Sequence, residues 1–189
     1  MLKSLIQNTT AIHTRDINLS THPLPDSKIL VHGVLKDQRT IRIFDVTGVP
    51  LEPGIIHHME IILLIQSDPL MIEDAEADMV QVPMPACRTT LDTLEKLKGL
   101  KIKSGFSKNI RTIMGGTMGC THLCGLILAM GQEIVHGQLT WKRKEYVPPP
   151  KDFENFDEKQ FLIDSCRMWT KDGPKMKHLE SAIKNRRPD

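Results

Sequence analysis

The chain has few aromatic side chains, no long run of one charge and no long apolar segment. Phe, Trp and Tyr make up 4% of its 189 residues, and 25 Lys and Arg against 23 Asp and Glu give a formal net charge of +2. A nucleic-acid-binding surface normally needs a basic patch or aromatic side chains on which bases stack. The composition therefore gives no support to a nucleic-acid partner.

The apolar segments are also too short for a membrane protein. The longest strongly apolar stretch, residues 123–131, is about half the length needed to cross a bilayer. Residues 1–15 lack the apolar centre of a signal peptide. We therefore expect a cytoplasmic protein with no membrane partner. In that reducing compartment its four cysteines are thiols or metal ligands rather than disulfides.

The pattern of apolar residues changes from a strand period to a helix period near residue 83. Strands are predicted over 28–36, 39–44, 55–66 and 70–82, with Asp37-Gln38 as the turn between the first two. Helices are predicted over 87–98, 107–114 and 121–136. Strands followed by helices predict an α+β fold, in which an antiparallel sheet from the N-terminal half carries the C-terminal helices on one face.

The domain boundary is predicted near residue 145. Residues 1–145 form a single α+β domain, whereas residues 146–189 begin with three consecutive prolines at 148–150. Such a run favours an extended, semi-rigid connector. A helical extension is expected after it.

A glycine-rich segment at residues 115–124 is the most informative part of the sequence. It places Cys120 and His122 where a glycine loop enters a helix, with Thr121 as the predicted N-cap. The helix dipole and the free backbone N–H groups at that end favour a thiolate, which binds metals and attacks electrophiles. We therefore expect the chemistry of the protein to occur here.

Two cysteines at predicted helix starts and two histidines suggest a metal site. Borderline-soft ions such as zinc bind mixed Cys and His ligands. The predicted ligands are His57, Cys87, Cys120 and His122. The other two cysteines, Cys124 and Cys166, lie inside predicted helices and fit a structural role instead.

Three further groups are candidates for catalysis: His58, His122 and Arg15. Adjacent residues of a strand point to opposite faces, so only one of His57 and His58 can enter a site on a given side. The sequence leaves open which one does. An arginine near the site, Arg15 or Arg39, is suited to bind an anionic group such as a carboxylate.

A series of short motifs resembles a bacterial family known only as a domain of unknown function. The motifs are His-x-Arg at 13–15, Leu-x-Asp at 35–37, Ile-His-x-Met at 56–59, Ala-Cys at 86–87, Gly-Gly-x-x-Gly-Cys-Thr-His-Leu at 115–123 and Ser-Cys…Asp-Gly-Pro at 165–174. The resemblance runs almost end to end. It implies that these positions form a site, without implying a reaction.

A fainter resemblance, over roughly residues 55–135, is to iron–sulfur-cluster scaffold and sulfur-acceptor proteins. The matching positions are Met59, residues 72–75, Cys87 and Cys120, in the scaffold order. Ile55 and His57 stand where the scaffolds have a cysteine and an aspartate. The resemblance implies a metal pocket between a sheet and its helices.

Three functions remain open from the sequence. The first is a metalloenzyme that uses zinc or another transition metal on a small carbonyl-containing metabolite. The second is a scaffold or carrier for a metal or sulfur species. The third is a metal-free domain whose cysteines are structural. The sequence does not indicate an oligomeric state.

Overall fold

The computed structural model describes residues 2–186 and is built on a four-stranded antiparallel sheet. The strand order is β1-β2-β5-β6. The strands are β1 (His13–Pro23), β2 (Lys28–Arg39), β5 (Gly54–Ser67) and β6 (Leu70–Gln81). The prediction of an antiparallel sheet in the N-terminal half is thus confirmed.

The predicted hairpin at Asp37-Gln38 is wrong. Strand β2 continues to Arg39, with only an irregularity in its pairing with β5 between Asp37 and Gln38. Its backbone pairs with β1 on one side and β5 on the other, and these two ladders outweigh the turn preference of an aspartate. Strand β1 was not predicted, because its mainly polar sequence lacks a clear alternation.

A second, two-stranded sheet lies between β2 and β5 in the chain. It consists of β3 (Ile43–Phe44) and β4 (Pro50–Leu51), which pair with each other and not with the main sheet. The predicted strand over 39–44 is therefore divided between the end of β2 and β3.

The helices follow the sheet, which confirms the α+β class. A 3-10 helix spans Pro85–Leu97, and the α-helices are α1 (Leu2–Gln7), α2 (Phe106–Met114), α3 (Thr121–Lys142), α4 (Lys159–Leu162) and α5 (Pro174–Lys184). Helix α3 is longer than the predicted range of 121–136. Its N-cap is Cys120 rather than Thr121, which is its first helical residue. No helix within residues 2–186 has the length and apolar character needed to span a membrane.

Helix α3 packs closely on one face of the sheet. A Cβ atom at Gly33 of β2 would lie 2.8 Å from Met130 Sδ, so the glycine permits a close approach of strand and helix. The core consists mainly of the helix-facing residues of β2, β5 and β6 together with the apolar sides of α3, α2 and the 3-10 helix at Pro85–Leu97. Residues on the opposite face of the sheet, which we call the open face, include Glu60 and Ile62 and are exposed or half-buried.

A salt bridge and a backbone hydrogen bond join the C-terminal segment to the body. Arg143 Nη2 donates to Glu158 Oε1 at 2.9 Å, and Ser104 N–H donates to Gln160 O at 3.4 Å. Within the segment, the rings of Phe156 and Trp169 stack with centroids 6.1 Å apart. Residues 146–150 have no regular structure, in agreement with the proline run. The boundary near residue 145 stays a prediction.

Candidate functional site

One row of paired residues across three strands forms the floor of the candidate site. Arg15 of β1 lies opposite Asp37 of β2, which in turn lies opposite His57 of β5. Odd-numbered residues of β2 face the helices, so Asp37 continues the buried series that ends with Leu35. The strand register thus brings a cation, a carboxylate and an imidazole together on the helix-facing side.

Asp37 is the centre of the cluster. Its side chain is only 2% exposed and accepts two hydrogen bonds from Arg15, from Nε to Oδ1 at 2.6 Å and from Nη2 to Oδ2 at 2.7 Å. This bidentate geometry fixes the plane of the carboxylate. The Arg15 hydrogen bonds hold the pKa of Asp37 below its ordinary value, and the charges of Arg15, His122 and His57 act in the same direction. Asp37 is therefore ionised at neutral pH.

Two imidazoles approach the same carboxylate oxygen. His57 Nδ1 lies 3.1 Å and His122 Nε2 lies 3.5 Å from Asp37 Oδ2. The two rings are stacked, with centroids 3.8 Å apart. Burial lowers the pKa of His122, and the neighbouring charges of His57 and Arg15 lower it further. Neutral imidazole is the form that binds metals.

Helix α3 positions His122 and Cys120. His122 is in the first turn, and Cys120 is the N-cap residue, where no side chain caps the helix. Cys120 Sγ lies 3.8 Å from His122 Nδ1 and is partly buried. The thiol of Cys120 thus lies beside a helix N-terminus and an imidazole. Burial raises the pKa of Cys124 one turn later, in agreement with a structural role.

The Asp–His cluster of Asp37, His57 and His122 brings three potential metal-ligand atoms together. Ligand atoms of Asp37, His57 and His122 all lie within 4.8 Å of one another, and no other such group occurs within residues 2–186. Atoms bound about 2.1 Å from one ion in a tetrahedron lie about 3.4 Å apart, close to the 3.1 and 3.5 Å measured from Asp37. Each carboxylate oxygen has two lone pairs, so Asp37 can bind Arg15 and an ion together.

Four of the residues selected from the sequence belong to the Asp–His cluster or lie next to it. His57 and His122 belong to it, and Arg15 and Cys120 adjoin it. His57, rather than His58, faces the helices. His58 lies on the open face, with Nε2 3.3 Å from Glu60 Oε1. The choice that the sequence left open is decided by the side on which α3 packs.

Cys87 lies outside the Asp–His cluster. It is in the first turn of the 3-10 helix, where its backbone N–H bonds to Met84 O, and it packs partly buried against the core. The four-ligand site of His57, Cys87, Cys120 and His122 stays a prediction. The ligand atoms that lie close together come from Asp37 and the two histidines.

Asp37 belongs to the Leu-x-Asp motif at 35–37, but it was not among the candidate ligands or catalytic residues, because it was assigned to a turn. A signal was present: Asp37 continues the alternation of Ile29, Val31 and Leu35, and a charged residue on an apolar strand face needs a partner. The alternation includes Asp37 only when strand β2 is taken to continue to Arg39. The pairing partners, Arg15 and His57, depend on a register that the sequence alone did not fix.

The fold and the site together define an α+β domain with a buried Asp–His cluster between its sheet and its longest helix. Residues 13–136, about two thirds of the chain, match the family described as "Protein of unknown function (DUF2889)", and the chain belongs to that family. The resemblance to a family of unknown function is thus confirmed. No curated protein and no solved structure matches the chain. All residues of the cluster lie inside the matched range, whereas the C-terminal segment lies outside it.

Proposed function

We propose that the protein is a metalloenzyme that binds a divalent transition-metal ion through Asp37, His57 and His122. One observation carries the proposal. Three potential ligand atoms, from β2, β5 and α3, lie close together, and one of them belongs to the buried carboxylate of Asp37. Two imidazoles and one carboxylate suit zinc and several neighbouring metals. Three protein ligands leave coordination positions for water or substrate, as catalytic sites require.

Arg15 supports the site as an outer partner of the ligand Asp37. Ligating carboxylates are commonly held by hydrogen bonds from a second layer of residues, which fix their orientation. The bidentate contact of Arg15 with Asp37 has this form. Arg15 is also 46% exposed along its side chain, which leaves part of its guanidinium accessible to an anionic substrate group.

The proposed substrate class is a small carbonyl-containing metabolite. A bound ion can polarise a carbonyl oxygen or lower the pKa of a bound water molecule, and either effect activates a carbonyl group toward attack. Cys120 and the accessible part of Arg15 lie beside the cluster to contact such a substrate. A role for His58 in catalysis has no support from its position on the open face of the sheet.

Metal binding requires a small movement of the two histidines. Two imidazoles bound to one tetrahedral ion at about 2.0–2.1 Å place their ring centroids about 5.2 Å apart. The centroids here are 3.8 Å apart, so the rings must separate by about 1.4 Å when an ion enters. The NMR signals of both rings should therefore shift together on titration.

The test is a metal titration of protein purified without a polyhistidine tag and stripped with a chelator. We expect one Zn²⁺ or Co²⁺ per chain with micromolar or tighter affinity, and loss of binding in Asp37→Asn and His122→Ala. His32→Ala and Glu60→Gln, on the open face, are matched controls that should bind normally. Absence of binding by the unmodified chain at about 100 µM metal would contradict the proposal.

The enzymatic part needs its own measurement. Protein loaded with metal should turn over members of a panel of small esters, amides and oxo acids, and the stripped protein should not. Metal binding without turnover and without a pocket beside the ion would instead favour the scaffold or carrier hypothesis.

A second candidate function is metal-free nucleophilic catalysis by Cys120. It is favoured by the linear order of three groups: Cys120 Sγ lies 3.8 Å from His122 Nδ1, and His122 Nε2 lies 3.5 Å from Asp37 Oδ2. A nucleophile, a base and a group that orients the base are the parts of a cysteine-hydrolase site. In this mechanism His122 removes the thiol proton, and the sulfur attacks the carbonyl carbon of an ester or amide. The bond from that carbon to the alcohol or amine then breaks as protonated His122 returns its proton to the leaving group, and water hydrolyses the resulting thioester.

Alkylation by iodoacetamide separates the two candidates. For stripped protein, the nucleophile hypothesis predicts that Cys120 reacts at least about tenfold faster than Cys87, and that His122→Ala removes the difference. The metal hypothesis predicts that added Zn²⁺ changes this rate and that turnover depends on the ion. Turnover by stripped protein that is lost in Cys120→Ser would establish the second candidate instead.

A further inference from the structure

Arg39 lies beside the Asp–His cluster and has no part in the proposed metal site. It comes two residues after Asp37 on β2, and it pairs with His13 of β1 as Asp37 pairs with Arg15. Because the β1 ladder is regular there, Asp37 and Arg39 project from the same face of the sheet. Two residues of a strand span about 6.6–6.8 Å, so Arg39 occupies the next row of the site.

The guanidinium of Arg39 is held in place but its charge is not neutralised. Arg39 Nη2 donates to the backbone oxygen of Glu52 at 2.8 Å, which is a neutral acceptor. The carboxylate of Glu52 pairs instead with Arg42 at 2.9 Å. Arg39 Nε is buried without a hydrogen-bond partner, and within residues 2–186 no carboxylate pairs with Arg39.

An unpaired N–H group of a charged side chain indicates that an acceptor is missing. Leaving such a donor unsatisfied inside a protein costs free energy. Arg39 as a whole is half-buried, so part of its side chain is open to solvent. The acceptor can therefore come from a ligand that enters beside the Asp–His cluster.

Arg15 offers a second set of donors at the same end of the sheet. Its Nε and Nη2 atoms donate to Asp37, and its other N–H groups have no partner in the described part of the chain. Arg15 and Arg39 are diagonal neighbours across β1 and β2, at a separation of about 7–8 Å that long side chains bridge. Both arginines can thus contact one small anion.

The charge balance favours an anion with a single negative charge. Arg15 and Arg39 are two cations, and Asp37 is one carboxylate. The metal-free site thus has one positive charge in excess when its imidazoles are neutral, the form that binds metals. A carboxylate neutralises this excess and accepts paired hydrogen bonds from a guanidinium. A phosphate monoester, with a charge of about −1.5 to −2 at pH 7, would overcompensate it.

We infer that Arg39 and Arg15 bind the carboxylate of a short oxo acid, whose carbonyl group lies toward the Asp–His cluster. The spacing of about 6.6–6.8 Å between the two rows suits the two ends of one small molecule. The assignment of this acid as the substrate rests on the proposed function, because the ion acts on the carbonyl group. Binding of the carboxylate does not require the ion, because Arg39 is not a metal ligand.

Binding of 4-oxopentanoate to protein stripped of metal and freed of chelator tests this inference. Its methyl ester is the matched ligand, because it keeps the carbonyl group and lacks the charge. In a phosphate-free buffer of low ionic strength, the acid should bind with a Kd on the order of 1 mM, at least about tenfold tighter than the ester. The NMR signal of Arg39 Nε–H should shift on titration with the acid and not with the ester.

Two variants of strand β2 separate the role of Arg39 from general electrostatic attraction. Arg39→Gln should weaken binding of 4-oxopentanoate by at least about tenfold, because it removes charge-assisted hydrogen bonds. Lys36→Gln is the matched control, since Lys36 is an exposed cation of the same strand on the open face. Its affinity should stay within about twofold of that of the unmodified chain. Equal losses in the two variants would contradict the inference.

Failure of this inference is distinguishable from failure of the proposed metal site. Normal metal binding, with no binding of the acid at about 10 mM by stripped or loaded protein, would overturn the anion site alone. Binding of the acid by a chain that binds no metal would support the anion site and remove the proposed metalloenzyme. Tighter binding of inorganic phosphate than of the acid would contradict the choice of a carboxylate. If Arg39→Gln does not fold, the shift of Arg39 Nε–H in the unmodified chain decides the question.

Discussion

The two faces of the sheet place neighbouring histidines in opposite circumstances. His57 faces helix α3 and joins Asp37 and His122, whereas His58 faces away and lies beside Glu60. Both histidines lie near a carboxylate at 3.1–3.3 Å. The carboxylates differ: the Asp37 side chain is 2% exposed and that of Glu60 is 41% exposed.

A His–carboxylate pair alone therefore does not distinguish the candidate site. The burial of the Asp37 carboxylate and the presence of a second imidazole, His122, distinguish it. The Glu60 carboxylate is 41% exposed, so water screens its interaction with His58. The buried carboxylate interacts strongly with every nearby charge, because few water molecules compete. The open face therefore supplies matched control residues for each test of the helix-facing side.

The largest expected effect is on metal affinity. His57→Ala should weaken binding of Zn²⁺ or Co²⁺ by at least about 100-fold, more than the 10–100-fold typical of outer partners, because it removes a ligand. His58→Ala should change the affinity by less than about threefold. His58 is neither a ligand nor a hydrogen-bond partner of a ligand, and even the loss of such a partner costs only about 10–100-fold. Titration of both stripped variants measures the ratio, and equal losses would show that the two faces are not distinct.

The next effect is on the stability of the metal-free protein. Asp37→Asn removes the charge that pairs with Arg15 and turns an amide N–H group toward its donors. We expect a loss of about 1–3 kcal/mol in the free energy of unfolding, the cost of leaving such groups unsatisfied. Glu60→Gln should change it by about 0.5 kcal/mol or less. Urea denaturation in the presence of a chelator measures both, and a neutral Asp37→Asn would argue against a strong buried pair.

A pair of glycines on α3 tests how closely the helix must pack to hold His122. A Cβ atom at Gly137 would overlap the side chain of Thr21 in β1, whereas one at Gly125 would meet nothing within 4 Å. Gly137→Ala should therefore cost about 1–3 kcal/mol through overpacking. Gly125→Ala should stabilise the protein by about 0.5–1 kcal/mol, the helix preference for alanine. Thermal unfolding compares them, and equal shifts would contradict close packing at Gly137.

The smallest expected effect is the pH dependence of stability without metal. The pKa values of His122 and Asp37 are both lower in the fold than their ordinary values of 6.5 and 3.8. The unfolded chain thus binds more protons, so stability increases with pH. The contribution of His122 is complete above pH 6.5 and is lost below it, and that of Asp37 is lost only below pH 3.8.

The urea concentration at the midpoint of unfolding should therefore fall as the pH is lowered from 8 to 5. His122→Gln should make this dependence on pH less steep. His32→Gln, on the open face, should retain the slope of the unmodified chain. A steeper slope in His122→Gln would mean that the sign of its pKa shift is wrong.

Much of the architecture follows from local patterns. The alternation in 55–66 predicted a strand with Met59, Ile61 and Leu63 on one face, and these three residues are buried in the core. The helix starting near residue 121 was predicted from its glycine loop and apolar spacing. Both signals are local, because side-chain periodicity records which face of an element is buried.

The failures occurred where pairing between distant segments decides the structure. Asp37-Gln38 has turn-forming residues, yet hydrogen bonds to β1 and β5 keep it extended. The site has the same limit: the sequence selected His57, Cys120, His122 and Arg15 as ligands or catalytic groups. It assigned Asp37, the carboxylate that connects them, to a turn.

The α+β class and the chemically capable residues at the start of α3 can be read from the sequence, because capping and periodicity are local properties. The row of Arg15, Asp37 and His57, with His122 above it, is set by tertiary packing. Strand register and the choice of the covered face depend on packing summed over the whole sheet. A shift of one residue in that register would have placed His58, and not His57, beneath the helix.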